Sequence, residues 1–389
     1  MIPAMNWSYP TALRFGAGRV AELAEACRDL GLSRPLVVTD RVLSALPPVA
    51  AVRAALEGAG IPHALFDAVD PNPTDENLDD GTRVYRDGGH DGVICVGGGS
   101  ALDLGKLIAV MARQSVPVWD LDDSGPGWRN ADPDRIAPSI CLPTTAGTGS
   151  EVGRAAVLTD TGRSRKIIIF HPKMMPARVI LDPELTVGMP RGVTVGTGMD
   201  ALAHCLEAYC SPHFHPMSQG VALEGIRLVL ENLPRAAATP DDLDARGRML
   251  TAGMMGAVAF QKGLGAIHSL SHPIGARHHT HHGTTNAVVM PAVLRFNRAA
   301  VEDRIAAAAA YLGIPGGFNG FHDALVDLRE ALGVPDTLGD LGVPEADVPA
   351  MVPDALADPS CGGNPVAMDA ENTRALFAAC FVPNQRLSA

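Results

Sequence analysis

Three features are missing from this sequence, and each absence excludes a class of protein. No uninterrupted apolar stretch reaches about 18 residues, which argues against a membrane-spanning helix and a membrane partner. The N-terminal segment MIPAMNWSYP has no basic region followed by an apolar run, so it predicts no signal peptide. The seven cysteines are scattered without a CxxC pair, which predicts free thiols in a reducing cytoplasm, with no disulfide scaffold and no thiolate zinc site.

A run of lysines or arginines is also lacking. The net charge of −12 would repel a nucleic-acid backbone, so a nucleic-acid partner is not expected. What is present is the composition of a folded globular protein, with 47% apolar and 19% charged residues. A chain of 389 residues can form two domains, each with a core of ordinary size.

The first half alternates short β-like runs with helical stretches. Strands are predicted at 35–40, 92–96, 140–143 and 178–182, and a helix at 101–111. Repetition of strand, turn and helix is typical of a mostly parallel sheet with helices on both faces. We therefore expect an α/β domain over residues 1–185.

The second half changes character near residues 182–185. From about residue 193 the apolar residues recur at three- and four-residue spacing, and convincing strands are missing. The clearest stripe consists of Ala222, Gly225, Ile226, Val229 and Leu233. We therefore expect an all-helical domain over residues 186–389, which includes the alanine run at 306–310.

Histidines are concentrated in one short segment of this second half. Six of the thirteen histidines lie between His268 and His282. Upstream, Asp200 and His204 are four residues apart in a helical pattern, so their side chains project from one face and can bind a single ion. His268 and His272 have the same spacing. Imidazoles with one carboxylate and no thiolate suit Zn²⁺ or Fe²⁺.

An alternative interpretation is that these histidines are surface or core residues without a shared purpose. The combination of an Asp-x-x-x-His pair with a dense histidine cluster favours a metal site. Spacing alone leaves open which three histidines bind the ion.

Two glycine-rich segments compete as the nucleotide-binding turn. Residues 16–21, GAGRVA, match GxGxxG/A, precede a helical pattern, and are followed about 20 residues later by Asp40. However, residues 13–15 make a poor buried strand. Residues 97–100, GGGS, follow a strongly apolar strand and open a helix, so their amides could face a pyrophosphate at the positive helix end. The alternative for GGGS is a tight connection alone.

Asp40 ends its predicted strand where an adenosine ribose would lie. A carboxylate there accepts hydrogen bonds from ribose hydroxyls and repels a 2′-phosphate, which favours NAD over NADP. The alternative role for Asp40 is a helix cap or a solvated loop acid. The hydroxyls and amides of residues 143–150, PTTAGTGS, could also surround the cofactor, although such turns are common.

The motifs GMDALAHCLEAY, GLGAIHSLSHPIG and HHG together resemble the two signature regions of the iron-containing (group III) alcohol dehydrogenases. The resemblance extends over almost the whole chain through FGAG, PNPT, GGGS and PTTAGTGSE. It implies a Rossmann-like, NAD-binding α/β domain followed by an all-α metal-binding domain, the architecture shared with dehydroquinate synthase. It also implies a homodimer or larger homo-oligomer.

The resemblance further implies roles for individual residues. The metal ligands, for Fe²⁺ or Zn²⁺, would be Asp200, His204, His268 and His282. His272 would stand beside the nicotinamide as the catalytic proton relay, without binding metal. Residues implied to line the NAD site, besides Asp40, are Asn72, Gly98, Gly99, Ser100, Thr144, Thr145 and Lys166. Asp103 would support the GGGS turn. His278, His279 and His281 have no ligand role in the family pattern, and an auxiliary or competing ligand among them stays open.

Within the family, AFQKGLG, HSLSHPIG and NAVVMPAVLRFN are closest to 4-hydroxybutyrate dehydrogenases. A metal ion beside a nicotinamide would act as a Lewis acid on an alcohol or aldehyde oxygen while NAD carries the hydride. Arg154 and Lys262 could bind a substrate carboxylate by charge-assisted hydrogen bonds. Equally, both cations could be ordinary surface residues.

Three other functions compete with this interpretation. The same fold could serve a dehydroquinate-synthase-like lyase that recycles NAD, or a glycerol-dehydrogenase-like zinc enzyme that oxidises polyols. A non-catalytic protein that binds metal or nucleotide is the third. The ligand motifs argue against the lyase, and an NADH-formation screen would separate the others.

Overall fold

The structure, a computed structural model, describes residues 9–163 and 165–388. Residues 1–8, which hold most of the segment assessed for a signal peptide, lie outside the described residues. The described chain divides into an α/β unit, Tyr9–Met189, and a helical unit that begins at Pro190. The expected domain boundary after residue 185 falls within the short 3-10 helix Pro183–Thr186.

A six-stranded parallel sheet forms the centre of the α/β unit. Its strands, in the order in which they lie in the sheet, are β1 Leu13–Phe15, β8 Arg178–Leu181, β5 Ser139–Pro143, β4 Val93–Gly97, β2 Leu36–Asp40 and β3 Ala64–Val69. The four strands predicted from the sequence are β2, β4, β5 and β8. Residues 13–15, judged a poor buried strand, form the edge strand β1, which pairs only with β8 and is incompletely buried.

Helices cover both faces of this sheet, as expected. They are α1 Leu23–Asp29, α2 Pro47–Gly58, α3 Asp75–Asp87 and α4 Gly99–Met111. Alternate strand residues point to opposite faces, so Val37 and Ile94 join the core beneath α1 and α2, whereas Val38 and Cys95 join the core beneath α3 and α4. This two-faced packing explains why the strands are apolar along their whole length.

An antiparallel hairpin, β6 Ala155–Asp160 and β7 Arg165–Phe170, adds a second small sheet to the unit. No strand was predicted from the sequence at either position. Arg154, a predicted substrate residue, immediately precedes the first strand, and Lys166, a predicted cofactor residue, lies on the second strand.

The helical unit contains no strand among its described residues, in agreement with the predicted class. Its helices are α5 Arg191–Cys210, α6 Pro216–Ala238, α7 Leu243–Ala259, α8 Ala266–His278, α9 His282–Phe296, α10 Arg298–Tyr311, α11 Gly317–Leu332, α12 Val348–Ala357 and α13 Ala370–Ala379. The predicted apolar stripe lies on α6 and is buried throughout. Across the described ranges, no helix is long and apolar enough to span a membrane.

Candidate active site

The GGGS turn lies where the strand order of the sheet reverses. β2 and β4 are neighbours in the sheet. From β2 the chain continues to β3 on one side, and from β4 it continues to β5 on the opposite side. The crevice at the carboxyl ends of two such strands is where open α/β sheets bind nucleotides. Here those ends carry Asp40 and Gly97, and a Cβ built on Gly97 would lie 4.0 Å from Asp40 Oδ2.

The second turn, residues 143–150, packs directly against the glycines. Thr144 N donates a 2.9 Å hydrogen bond to the carbonyl of Gly97. A Cβ on Gly99 would lie only 2.8 Å from Thr148 Cγ2, and one on Gly98 would lie 3.3 Å from Thr145 Cγ2. The close approach at position 99 requires glycine. Gly98, the N-cap residue, has no side chain, so no side chain caps the start of α4.

Ser100 ties the GGGS turn to the loop that contains Asn72. Ser100 Oγ donates a 2.6 Å hydrogen bond to the carbonyl of Pro71, the residue before the exposed Asn72. The hairpin is tied to this loop because Thr159 N donates to the carbonyl of Pro73 at 2.8 Å, and Lys166 lies opposite Thr159 in the β6–β7 ladder. The predicted cofactor residues therefore belong to one unit. Most of them follow the carboxyl ends of strands in its parallel sheet, and Lys166 is linked to the loop of Asn72 through Thr159.

Asp103 and Lys106 attach α4 to the end of the second turn. The Asp103 carboxylate accepts hydrogen bonds from the Ser150 hydroxyl and, at 2.9 Å, from Val157 N. The buried Lys106 donates to the carbonyls of Ser150 at 2.9 Å and Ala155 at 2.7 Å. Asp103 therefore supports the PTTAGTGS turn more directly than the GGGS turn.

The competing turn, GAGRVA, binds a carboxylate of its own chain. Gly18 N and Val20 N donate to the two Asp182 carboxylate oxygens at 3.1 and 2.9 Å. Asp182 is fully buried and also caps the 3-10 helix Pro183–Thr186. Because these amides are already satisfied internally, the geometry favours GGGS as the nucleotide turn.

Asp40 uses one carboxylate oxygen within its own loop. Oδ1 accepts hydrogen bonds from Val42 N at 3.0 Å and Leu43 N at 2.9 Å. In the part of the chain that the structure describes, Oδ2 accepts none. Asp40 thus serves as a loop cap through one oxygen, while its other oxygen lies on the side of Gly97 and stays able to accept a hydrogen bond.

The helical unit brings four predicted metal ligands together. Asp200 and His204 lie on successive turns of α5, His268 on the first turn of α8, and His282 at the first residue of α9. Asp200 Oδ1 is 3.8 Å from His204 Nε2, 3.8 Å from His268 Nε2 and 3.5 Å from His282 Nε2. The ligand atoms of Asp200, His204 and His268 all lie within 4.8 Å of one another.

Close packing between α5 and α9 makes this approach possible. A Cβ on Gly283 would lie 2.0 Å from the carbonyl oxygen of Gly196 and 2.9 Å from Asp200 Cβ. Only glycine allows α9 to begin so close to α5. His282, the preceding residue, is thereby brought to Asp200.

Two buried carboxylates dominate the electrostatics of this cluster. Asp200 and Glu207 are 3% and 6% exposed, and Glu207 Oε2 lies 2.6 Å from His268 Nδ1. Burial alone would raise the pKa of Asp200, but the charges of His204 and His282 hold that pKa well below its usual range. Burial alone would lower the pKa of His268, but Glu207 and Asp200 raise it to about 10. A metal ion bound here would therefore compete with a proton for His268.

The Asn286 side chain, which was not predicted from the sequence, lies among the side-chain atoms of the predicted ligands. Its Nδ2 is 2.8 Å from Asp200 Oδ1, 3.3 Å from His268 Nε2 and 3.2 Å from His282 Nε2. Asn286 is fully buried, and its Oδ1 has no hydrogen-bond partner among the described residues. Its position four residues after His282 on α9 is the signal that could have revealed it.

The remaining histidines separate into different roles. His272 stacks on His282, with ring centroids 5.3 Å apart and planes at 13°, and its Nδ1 is 2.7 Å from Asp358 Oδ2. His278 faces Asp347, His279 ends α8 with a left-handed backbone (φ 53°), and His281 caps α9. His278, His279 and His281 therefore contact neighbouring segments at the end of α8 and the start of α9.

The two predicted substrate cations differ sharply in environment. Lys262 is 2% exposed and donates to the carbonyl of Tyr209 at 3.1 Å, beside Arg304, which also binds the last carbonyls of α5. Burial lowers the pKa of Lys262 to about 8. This location argues against the predicted substrate role for Lys262, because its ammonium group caps a helix C-terminus.

Arg154 remains available. Its guanidinium lies over the Phe170 ring, 5.5 Å from the centroid, and the side chain is half-buried. Within the described ranges it makes no side-chain hydrogen bond or ion pair, so its five N–H groups can bind an external anion.

Comparison with known families accounts for both halves of the chain. The family described as "Iron-containing alcohol dehydrogenase" matches residues 10–183, and the one described as "Fe-containing alcohol dehydrogenase family, C-terminal" matches residues 194–381. A 4-hydroxybutyrate dehydrogenase from Cupriavidus necator is 39% identical over 379 residues, which covers 95% of this chain and 98% of the relative.

Solved structures agree with this match. A crystal structure of 1,3-propanediol oxidoreductase superimposes with a TM-score of 0.92 at 34% identity, covering 97% of this chain and 100% of that one. Sulfoacetaldehyde reductase from Bifidobacterium kashiwanohense, solved in complex with NAD⁺, superimposes with a TM-score of 0.88 at 28% identity, covering 97% and 99%.

Proposed function

Because this chain belongs to the iron-containing alcohol dehydrogenase family, we propose that it transfers hydride between NAD and a small primary alcohol or aldehyde that carries a carboxylate, with 4-hydroxybutyrate and succinic semialdehyde preferred. The observation that carries the substrate class is the Arg154 guanidinium, which makes no side-chain hydrogen bond or ion pair among the described residues and interacts with the Asp123 carboxylate only at longer range. The 39% identity to a 4-hydroxybutyrate dehydrogenase supports the same choice.

The proposed metal ligands are Asp200, His204, His268 and His282. The donor set fits a divalent ion: it offers one carboxylate and three imidazoles, and it lacks a thiolate. With neutral imidazoles the buried Asp200 and Glu207 carboxylates leave two negative charges, which one divalent ion neutralises. The family favours Fe²⁺, and the same donors accept Zn²⁺.

The proposed cofactor is NAD, with its pyrophosphate at the GGGS turn and its adenosine ribose near Asp40. The reversal of strand order between β2 and β4 and the glycine contacts at residues 98 and 99 support this assignment. Asn72, Ser100, Thr144, Thr145 and Lys166 are proposed to line the same crevice.

In the proposed reaction the protein supplies positions and proton transfer. When bound, the divalent ion supplies a Lewis acid for the substrate oxygen, and NAD accepts or returns the hydride. His272 is proposed to relay the hydroxyl proton; its side chain is 41% exposed, so its ring can exchange that proton with solvent. Arg154 is proposed to bind the substrate carboxylate through charge-assisted hydrogen bonds.

A matched pair of substrates tests the carboxylate proposal. On protein reloaded with Fe²⁺ or Zn²⁺, NADH formation is compared for 4-hydroxybutyrate and 1,4-butanediol, which has the same chain length but lacks the charge. We expect Arg154→Gln to lower kcat/KM for 4-hydroxybutyrate about 10- to 100-fold. This is the loss expected when a hydrogen bond to a charged group, which contributes about 1.5–3 kcal/mol, is removed. The rate with 1,4-butanediol should change by less than about threefold, within 1 kcal/mol.

Arg129→Gln is the control, because Arg129 also lies over an aromatic ring, that of Trp128 at 5.3 Å. Equal losses in the Arg129 and Arg154 variants, or faster oxidation of 1,3-propanediol than of 4-hydroxybutyrate, would contradict the carboxylate proposal. Preference for glycerol would instead favour a polyol dehydrogenase, and product formation without net NADH would favour a lyase.

The cellular setting is also proposed. The described cysteines are all free and mostly buried, which supports a reducing, cytoplasmic location. We further propose a homodimer or larger homo-oligomer, which light scattering on the purified protein would test.

A further inference from the structure

We infer that Asp358 is a positioning residue that holds His272 in one tautomer, with the proton on Nδ1 and the lone pair on Nε2. The inference rests on the proposed role of His272 as proton relay. Asp358 lies 86 residues away in sequence and reaches His272 from the segment between α12 and α13.

The contact defines the polarity of the imidazole. Asp358 Oδ2 is 2.7 Å from His272 Nδ1. An ionised carboxylate can only accept hydrogen bonds, so Nδ1 must be the donor. A neutral imidazole with its proton on Nδ1 carries a lone pair on Nε2, the nitrogen at the other side of the ring. That lone pair is what a proton relay needs to accept a hydroxyl proton.

The Asp358 carboxylate is itself fixed in place. Its Oδ1 accepts a 2.8 Å hydrogen bond from Ser360 N and caps the 3-10 helix Pro359–Gly363. The Asp358 side chain is 12% exposed, against 41% for His272. Burial alone would raise the pKa of Asp358, but the hydrogen bonds from His272 and Ser360 keep that pKa below its usual value. The group therefore stays an acceptor at neutral pH.

One substitution separates the two roles of Asp358. Asparagine caps a helix as well as aspartate does, so Asp358→Asn retains an acceptor for Ser360 N. Its second atom is then an amide nitrogen that donates to His272 Nδ1 and moves the imidazole proton to Nε2. Asp369→Asn is the matched control, because Asp369 caps α13 through Glu371 N and Asn372 N.

The first measurement is steady-state kinetics of the metal-loaded enzyme. We expect Asp358→Asn to lower kcat about 10- to 1,000-fold, because general acid–base catalysis typically contributes 10²–10⁴-fold. KM, bound metal and Tm should stay close to wild type, since the cap and the ligands are intact. Asp369→Asn should leave kcat unchanged. If Asp358→Asn fails to fold, Asp358→Ser also offers a capping oxygen and should lower kcat without the inverted donor.

The second measurement does not depend on catalysis. Diethylpyrocarbonate acylates the lone pair of a neutral imidazole nitrogen, and peptide mass spectrometry gives the rate at each histidine. We expect Asp358→Asn to slow acylation of His272 at least fivefold (about 1 kcal/mol in rate), because Nε2 then carries the proton. Exposed His279 is the internal reference.

The two measurements distinguish this inference from the proposed function. A wild-type enzyme that oxidises no alcohol would refute the proposed function, while the acylation rates would still decide the tautomer. Unchanged acylation of His272 in Asp358→Asn would overturn the inference, whether or not kcat falls. Slower acylation together with a kcat loss confined to the Asp358 variants would support it.

Discussion

Glu207 holds His268 through a 2.6 Å contact between Oε2 and Nδ1, and both side chains are buried. The other carboxylate oxygen, Oε1, accepts a 2.6 Å hydrogen bond from Ile267 N at the start of α8. A carboxylate on the outer nitrogen of a histidine orients its inner nitrogen toward a metal. Glu207 follows His204 by three residues on α5, so helical spacing alone could have revealed it.

The first prediction concerns this contact. Glu207→Gln retains the size of the side chain, but when its amide oxygen accepts from Ile267 N, its amide nitrogen must donate to His268 Nδ1 and thereby inverts that hydrogen bond. A proton transferred to His268 Nε2 blocks the nitrogen that would bind metal. We expect metal affinity to fall about 10- to 100-fold, the usual cost of losing such a partner.

Competition with a fluorescent chelator measures this affinity for Zn²⁺ and Fe²⁺. Glu231→Gln on α6 is the control, because the exposed Glu231 pairs with Arg227 and with no other cation among the described residues. An affinity within twofold of wild type for Glu207→Gln would show that Glu207 serves packing alone (twofold is about 0.4 kcal/mol).

The second prediction concerns Asn286, the buried amide that donates to Asp200 Oδ1. Leucine has a similar shape but no donor, so Asn286→Leu leaves the buried carboxylate without this hydrogen bond, at a cost of about 1–3 kcal/mol. A bound divalent ion would compensate that loss. We expect the substitution to lower the Tm of the metal-free protein more than that of the metal-loaded protein. Each kcal/mol of lost stability corresponds to a Tm decrease of about 2–4 °C.

Differential scanning calorimetry with and without metal tests this difference. Asn232→Leu provides the comparison, since Asn232 is 1% exposed and, among the described residues, its side chain donates to the carbonyl of Leu228 and accepts from Arg235, both on its own helix. Asn232→Leu should lower the Tm of the metal-free and the metal-loaded protein by the same amount. An equal decrease in both forms for Asn286→Leu would contradict the proposed link between Asn286 and the metal.

The third prediction concerns the choice of dinucleotide. Asp40→Asn keeps an oxygen that accepts from Val42 N and Leu43 N, so the loop should be retained while the negative charge is removed. We expect the kcat/KM ratio of NADP to NAD to rise at least about tenfold, which corresponds to 1.4 kcal/mol. Asp132→Asn, another loop cap of the same unit, should leave the ratio unchanged.

Parallel NADH and NADPH formation assays measure that ratio. No change in the Asp40 variant would mean that the carboxylate does not face the ribose.

The fourth prediction uses Glu151, which is 3% exposed. Burial raises its pKa from 4.5 to about 7, against the opposing effects of a backbone hydrogen bond and Lys106. The folded protein therefore binds this proton more tightly than the unfolded chain does. Its stability should fall as pH rises from about 4.5 to 7, by up to roughly 3 kcal/mol.

Glu151→Gln removes this titration. The Tm of the variant should exceed that of wild type above pH 7, and the difference should shrink toward pH 5. Thermal unfolding at both pH values measures it, with Glu76→Gln as an exposed control on α3. A Tm difference independent of pH would contradict the assignment.

Four of the eight described strands and two of the four proposed metal ligands follow from short-range patterns in the sequence. Short continuous apolar runs predicted β2, β4, β5 and β8, and helical spacing placed Asp200 and His204 on one face of α5. These inferences succeed because strand pleat and helix pitch are set by neighbouring residues. The hairpin β6–β7 was not predicted because its strand sequences, AAVLTD and RKIIIF, do not alternate between apolar and polar residues, although burial alternates along both strands.

Only the tertiary structure decided which distant residues meet. Spacing could not choose among six clustered histidines; the contact of Gly283 with Gly196 places His282 at Asp200. Likewise GAGRVA matched the glycine pattern, but Asp182, more than 160 positions later, occupies its amides. Asp358 reaches His272 in the same way. Such contacts depend on how whole helices and strands pack, which local sequence periodicity does not encode.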